Sequence, residues 1–328
     1  MTAIDMHSHF YGGLVDSLRR RDRRPHVARD ASGRDVLHAM TASTVMAEGY
    51  VDPVARLAWM DSAGIGTQMM TFPGALGVDV MPAREIEGAI RDFNDHLAGL
   101  CRGSDGRFVG LAGLPLDDMP AAAAEMRRAR IHLGLAGAIL PGNFFLTAAD
   151  AERLRPVFAA ANDVGALLMV HPGLMPGEDP PPAYPDHAIL RASALNLQAS
   201  IAQMGLTLIG GRLLDDHPDV TVQVVNLGGT LPFILERIVA VARSRGLEFD
   251  QHRLRLMVYD TASLGPRAIE TACRVIGADR LMLGTDYPIF TPDRPLDSLA
   301  EAAVGGSDRD MIRHGTAGTL LRRLGVLA

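Results

Sequence analysis

Short apolar runs alternate with longer stretches in which apolar residues recur every three or four positions, and the alternation spans almost the whole chain. The short runs fall at 4–6, 68–72, 109–114, 136–140, 166–171, 221–226, 254–258 and 281–285. The amphipathic stretches fall at 83–100, 120–133, 148–164, 188–214, 231–245 and 266–276. The first pattern predicts strands and the second predicts helices. Eight strands joined by helical crossovers imply a parallel sheet. No composition break divides the 328 residues, so the expectation is one α/β domain over 1–328, a closed (β/α)8 TIM barrel. An open doubly wound sheet would place a glycine-rich phosphate loop after the first strand. This chain has His7-Ser8-His9 there instead.

Two segments stand outside the alternation. Residues 10–50 form a long, weakly patterned first loop, and 176–185 are proline-rich. In a barrel, loops in these positions overhang the carboxyl ends of the strands, where active sites are built. Residues 308–324 read as helices that close the barrel.

Three apolar runs end in polar residues at that same face: His7 and His9 after the first, His171 after 166–170, and Asp286 after 281–285. Each falls where a proline or glycine turn begins, and a buried polar side chain there is costly without a partner. Residues i and i+2 of a strand share a face, so His7 and His9 can grip one ion. Three imidazoles and one carboxylate suit a single divalent transition metal and leave room for water or substrate. Zinc is the first choice and manganese the alternative.

Composition narrows the classes. Formal net charge is −6 and hydrophobic content 48%, which argues against nucleic acid or an anionic membrane as the main partner. All 32 basic residues are arginine. Schiff-base chemistry and a metal-bridging carbamylated lysine are therefore excluded, and a mononuclear site is favoured. Two distant cysteines and the lack of a signal-peptide pattern or a membrane-length apolar run predict a cytoplasmic protein. The basic cluster at 19–24 reads as solvated loop.

With His7-x-His9, His171-Pro172 and Gly284-Thr285-Asp286-Tyr287-Pro288, the chain resembles the metal-dependent amidohydrolase superfamily. It is most similar to the branch of aminocarboxymuconate-semialdehyde, resorcylate and 6-methylsalicylate decarboxylases. Arg56-Leu-Ala-Trp-Met-Asp61, the 107–115 strand, Gly228-Gly229-Thr230-Leu231-Pro232-Phe233, Tyr259-Asp260-Thr261-Ala262 and Gly277-Ala278-Asp279-Arg280 extend the likeness in order along the chain. The resemblance implies that His7, His9, His171 and Asp286 hold one divalent metal. It also implies a homodimer, a small carboxylic acid as substrate, and non-oxidative decarboxylation. One residue departs from the pattern. The strand before Gly228-Gly229 normally ends in a proton-handling histidine, and here the position is Asn226. An amide can hydrogen-bond but cannot titrate near neutral pH.

Asn226 and Asp286 are thus the catalytic candidates. Strand alternation would put Asn226 in phase with Val222 and Val224 on the inward face. Hydrolysis of a lactone, ester or amide is the alternative activity, with Asp286 as general base. A binding protein with a retained metal site is the third reading. Arg191 could clamp a substrate carboxylate, and Phe144, Tyr287 and Phe290 could line an aromatic pocket. His187, near the proline-rich loop, is a remote candidate for the missing proton donor.

Overall fold

The structure is a computed structural model that describes residues 2–40, 43–182, 184–289 and 294–327. Eight strands form one parallel sheet in the order β1, β5, β6, β7, β8, β9, β10, β11. These are β1 Ala3–His9, β5 Ile65–Thr71, β6 Phe108–Ala112, β7 Gly137–Pro141, β8 Leu167–His171, β9 Thr221–Val224, β10 Val258–Asp260 and β11 Leu281–Met282. The last strand meets the first. Met6 donates its backbone N–H to Leu283 at 2.8 Å, and a parallel bridge joins Ser8 to Tyr287. The sheet is therefore a nearly closed barrel with its helices outside, the (β/α)8 architecture expected from the alternation.

β6, β7 and the first four residues of β8 are buried throughout, as a sheet covered on both faces requires. The helix Ala83–Gly103 turns Ile86, Ile90, Phe93 and Leu97 onto the barrel. The helix Pro53–Ala63 starts where Asp52 accepts from the N–H groups of Val54 and Ala55, with Pro53 at its first position. It stops at Gly64, whose φ of 70° is open mainly to glycine. The helical stretch at 188–214 is interrupted: Arg191–Asn196 is a π turn ahead of Leu197–Gly210.

Three expectations need adjustment. Residues 10–50 hold a small antiparallel sheet of their own: β2 His26–Arg29, β3 Asp35–His38 and β4 Ser43–Val45. Its strands are short and half exposed, so the period-2 signal is weak. The basic cluster at 19–24 is largely exposed, as expected, with surface ion pairs from Arg19 to Asp16 and Asp35 and from Arg23 to Glu85. The seventh barrel strand begins at Val258, because Gln251–Leu256 is a 3-10 turn in which Arg253 donates to the Ile209 carbonyl and Arg255 to the Ile276 carbonyl.

The phase of β9 is the third. Gln223 reaches across the interior, donating to the Met6 carbonyl at 3.0 Å and to Asp260 Oδ2 at 2.7 Å. Val222 and Val224 therefore point outward to the helices. Asn226 follows the strand with φ 53° and opens a 3-10 turn, so its direction is set by that turn rather than by alternation.

Candidate metal centre

Each barrel strand delivers side chains to the interior by alternation. On β1 these are Asp5, His7 and His9; β8 contributes His171; Asp286 stands just beyond β11 with φ 57°. One ligand atom from each of His7, His9, His171 and Asp286 lies within 4.8 Å of the others. The three imidazole rings pack edge-on, with centroids 4.8 to 5.2 Å apart. The expected residues come together although the chain separates His9 from Asp286 by most of its length.

The way the imidazoles are held decides what they can do. His7 Nδ1 is 3.1 Å from Asp260 Oδ1, His9 Nδ1 is 3.0 Å from Thr71 Oγ1, and His171 Nδ1 is 3.0 Å from the Pro172 carbonyl. With every Nδ1 engaged, the Nε2 atoms are the ones left for the centre. His9 Nε2 is 3.2 Å from Asp286 Oδ1. His7 Nε2 is 3.6 Å away from the same oxygen, is buried, and has no hydrogen-bond partner. A buried nitrogen left without a partner, facing a carboxylate and two further imidazoles, fits a ligand of a divalent cation.

Protonation supports the same fit. Burial alone would lower the His7 pKa, but the Asp260 carboxylate, with Asp286 and Asp5 behind it, raises it to about 9. The carboxylates around His7 thus favour positive charge at that imidazole. His9 is lowered by burial, and His171 falls well below the usual range through burial and its histidine neighbours. Burial would raise Asp286, yet the His9 hydrogen bond and the surrounding imidazoles hold it below the ordinary carboxylate range.

A layer of buried polar groups behind the ligands was not visible in the chain. Asp260 Oδ1 accepts from the N–H groups of Asn226 at 3.2 Å and Ala262 at 3.1 Å as well as facing His7. Asp5 accepts from Thr285 Oγ1 and from Gln68 Nε2 at 2.7 Å. Arg56, fully buried, donates to Ser8 Oγ, Gln68 Oε1 and the carbonyls of His9 and Gly49. The Tyr-Asp-Thr-Ala and Arg-Leu-Ala-Trp motifs contained Asp260 and Arg56, but only the barrel's closure shows what they touch. Partners such as these orient ligand rings and tune their basicity.

The remaining candidates are more dispersed. Asn226 is buried and donates from Nδ2 to Ser263 Oγ at 3.0 Å, not to the four clustered residues. Tyr287 is stacked on Trp59 at 3.8 Å and lies under Arg56. Phe144 is fully buried against Arg153. Arg191 pairs with Asp186 at 3.0 Å in the half-exposed segment after the proline-rich loop. His187 is exposed, and Phe290 lies outside the described residues.

The amidohydrolase family model matches residues 4–323, almost the whole chain. The chain belongs to the amidohydrolase family. Within it, the chain is 27% identical over 289 residues to gamma-resorcylate decarboxylase of Rhodococcus jostii, covering 81% of this chain and 86% of that protein. It is 25% identical over 263 residues to 2-amino-3-carboxymuconate-6-semialdehyde decarboxylase of Dictyostelium discoideum, covering 76% and 71%. Among solved structures, dihydroxybenzoic acid decarboxylase from Polaromonas sp. JS666, with bound manganese and the inhibitor 2-nitroresorcinol, superposes with a TM-score of 0.74. It is 22% identical, and 99% of each chain is covered.

Proposed function

We propose that this amidohydrolase is a metal-dependent non-oxidative decarboxylase of a small aromatic or unsaturated carboxylic acid. The observation that carries the reading is the convergence of His7, His9, His171 and Asp286, each imidazole held through Nδ1, in a chain whose matched relatives are named as decarboxylases.

His7, His9, His171 and Asp286 would hold the ion, with zinc the first choice and manganese the alternative, as that ligand set accepts either. A divalent cation there would polarise a bound oxygen and stabilise the negative charge that develops as carbon dioxide leaves. The C–C bond breaks with its electron pair staying on the substrate carbon, which then takes a proton. Asp286 is the carboxylate among the four clustered residues, and it can receive a proton and pass it on. Its lowered pKa makes it a ready releaser of a proton once one is delivered. Asn226 can position an oxygen by hydrogen bonding but cannot carry the proton. Asp260, Thr71 and the Pro172 carbonyl keep the three rings oriented throughout.

Asn226 is also the observation that favours a second reading, hydrolysis of a lactone or ester with Asp286 as general base. Carbon dioxide release from a panel of hydroxybenzoates, set against acid release from lactones and esters, separates the two. Carbon dioxide from any panel member supports the decarboxylase. Acid release alone replaces it with the hydrolase.

The proposal extends to one domain over 1–328 acting as a cytoplasmic homodimer. Both cysteines are unpaired, which fits a reducing compartment. Ile189, Leu190 and Leu195, at 188–196, and Phe233, on the helix Leu231–Ser244, are large and exposed on segments that both meet the helix Leu197–Gly210, as a face meeting a second copy would be. Among the described residues no helix is long and apolar enough to cross a membrane.

A further inference from the structure

One buried carboxyl group, in the loop that follows β5, takes no part in the candidate metal centre. Asp79 lies in the segment between β5 and the helix Ala83–Gly103, and its side chain is fully buried. Among the described residues neither carboxylate oxygen has a hydrogen-bond partner of good geometry. The donor beside it is its own backbone N–H.

Its surroundings place it at the carboxyl face of the barrel. A Cβ on Gly74 would stand 3.2 Å from Asp79 Oδ2 and 3.9 Å from Ile139, a residue of β7 in register with Met169. Met169 shares the inward phase of His171. A Cβ on Gly173, two residues past His171, would stand 3.6 Å from the Gly74 carbonyl. Leu116, past β6, donates its N–H to the Asp79 carbonyl at 2.9 Å, and Met40 donates to the Leu76 carbonyl at 3.3 Å. The loop after β5 that carries Asp79 therefore packs against β7 and the loops after β6 and β8, and Met40 is tied to the same loop. Two of those loops begin at groups of the metal centre: Thr71, which holds His9, and His171 itself.

A carboxyl buried without a partner is costly to keep. Groups of this kind persist at functional sites, where a ligand completes them. We propose that Asp79 recognises a ring hydroxyl of the aromatic acid, on the β5, β7 and β8 side of the metal centre. This rests on the decarboxylase reading and adds the feature of the substrate that this chain selects.

The chemistry of the carboxyl chooses the hydroxyl. Burial raises the Asp79 pKa to about 8, so the group is neutral at neutral pH. A neutral carboxyl offers one donor and one acceptor. A phenolic hydroxyl also offers one donor and one acceptor, so the two can pair reciprocally and satisfy both Asp79 oxygens. A carboxylate offers acceptors only, and would leave the Asp79 acceptor unanswered. The substrate carboxylate therefore belongs at the metal centre and the hydroxyl at Asp79.

The test uses the full chain loaded with manganese, and nitroaromatic probes in which a nitro group replaces the carboxylate, so that nothing is consumed. Calorimetry compares 2-nitrophenol with 2-nitroresorcinol, 3-nitrocatechol, 4-nitrocatechol and nitrohydroquinone. In the unmodified protein one dihydroxy isomer should bind at least about tenfold more tightly than 2-nitrophenol. Asp79→Val should abolish that preference while binding 2-nitrophenol within about twofold of the parent. Asp79→Asn, which keeps a donor and an acceptor, should retain most of it. Ligand-free Asp79→Val should melt at or above the parent temperature, since no native hydrogen bond is lost. A preference unchanged in Asp79→Val, the absence of any preference in the parent, or failure of both Asp79→Val and Asp79→Leu to fold would overturn the proposal. If hydroxybenzoates release carbon dioxide while one of those results is found, only the role of Asp79 falls. If no probe binds and no carbon dioxide is released, the decarboxylase reading falls with it.

Discussion

His7 Nδ1 lies 3.1 Å from Asp260 Oδ1, a contact between residues 253 positions apart that exists only because the barrel closes. The same carboxylate takes N–H groups from Asn226 and Ala262, and its second oxygen takes one from Gln223. Asp260 is thus fixed before it fixes His7, and the imidazole presents Nε2 to the centre.

Replacing Asp260 by Asn removes the negative charge but keeps the size. His7 then loses the partner that sets its ring orientation and basicity. Metal affinity should fall by about 10- to 100-fold, measured by competition with a chromogenic chelator. An affinity equal to the parent's would show that His7 is oriented by packing alone.

Asn226→His should add a titrating group beside the centre. The pH profile of turnover should gain a limb near about pH 6.5, the ordinary histidine range, or decarboxylation of a hydroxybenzoate should rise. A profile and rate both unchanged would mean that this position takes no part in proton transfer here. Its present hydrogen bond to Ser263 makes that outcome a sharp one.

Arg56 joins β1, β5 and the segment before the helix Pro53–Ala63 through Ser8, Gln68, His9 and Gly49. Removing a buried charge that satisfies so many acceptors leaves them unpaired. Arg56→Met should cost on the order of 3 kcal/mol in urea unfolding, since each buried acceptor left unpaired costs about 1–3 kcal/mol. Arg56→Lys should not restore it, because an ammonium lacks the planar fork. A loss under about 1 kcal/mol in both would rule out Arg56 as the tie.

Asp79 gives the protein a pH dependence with a definite sign. Its folded pKa of about 8 stands above the ordinary 3.8. Between those values the folded state binds a proton that the unfolded state has released. Stability from this group is fully present below pH 3.8 and is lost as pH rises toward 8. Melting temperatures of metal-free Asp79→Asn, which has no proton to release, should decline less over that window than the parent's. Parallel curves would mean that Asp79 is ionised and partnered in solution.

Much of the architecture was legible in the chain because its signals are local. Each barrel strand is a short apolar run, and the helices between them show a clear 3.6-residue period. The four metal-centre residues were legible for a related reason: each stands where an apolar run stops, and in a parallel barrel all those stops share one face. The antiparallel sheet at 26–45 was less visible, since its strands are too short and exposed to alternate clearly. Gln251–Leu256 misled for the opposite reason, with a spacing of leucines that resembles a strand while its arginines satisfy carbonyls of neighbouring segments.

The residue types at the centre, the strand ends that carry them and the absence of lysine were properties of the order of amino acids alone. Which nitrogen of each imidazole faces inward was not, because that depends on Asp260, Thr71 and Pro172 arriving from other strands. The inward phase of β9 was not either: an alternating run shows two faces without saying which one meets the interior, and Gln223 resolves it only by reaching Met6 and Asp260 across the barrel. Asp79 is the clearest case. In the chain it is one acidic residue in a loop, and it becomes a buried, unpartnered carboxyl only once the loop after β5 packs against β7 and the loops after β6 and β8. Periodicity is written into neighbouring residues, whereas burial and hydrogen-bond partnership arise from contacts between distant ones, which the closed barrel alone brings together.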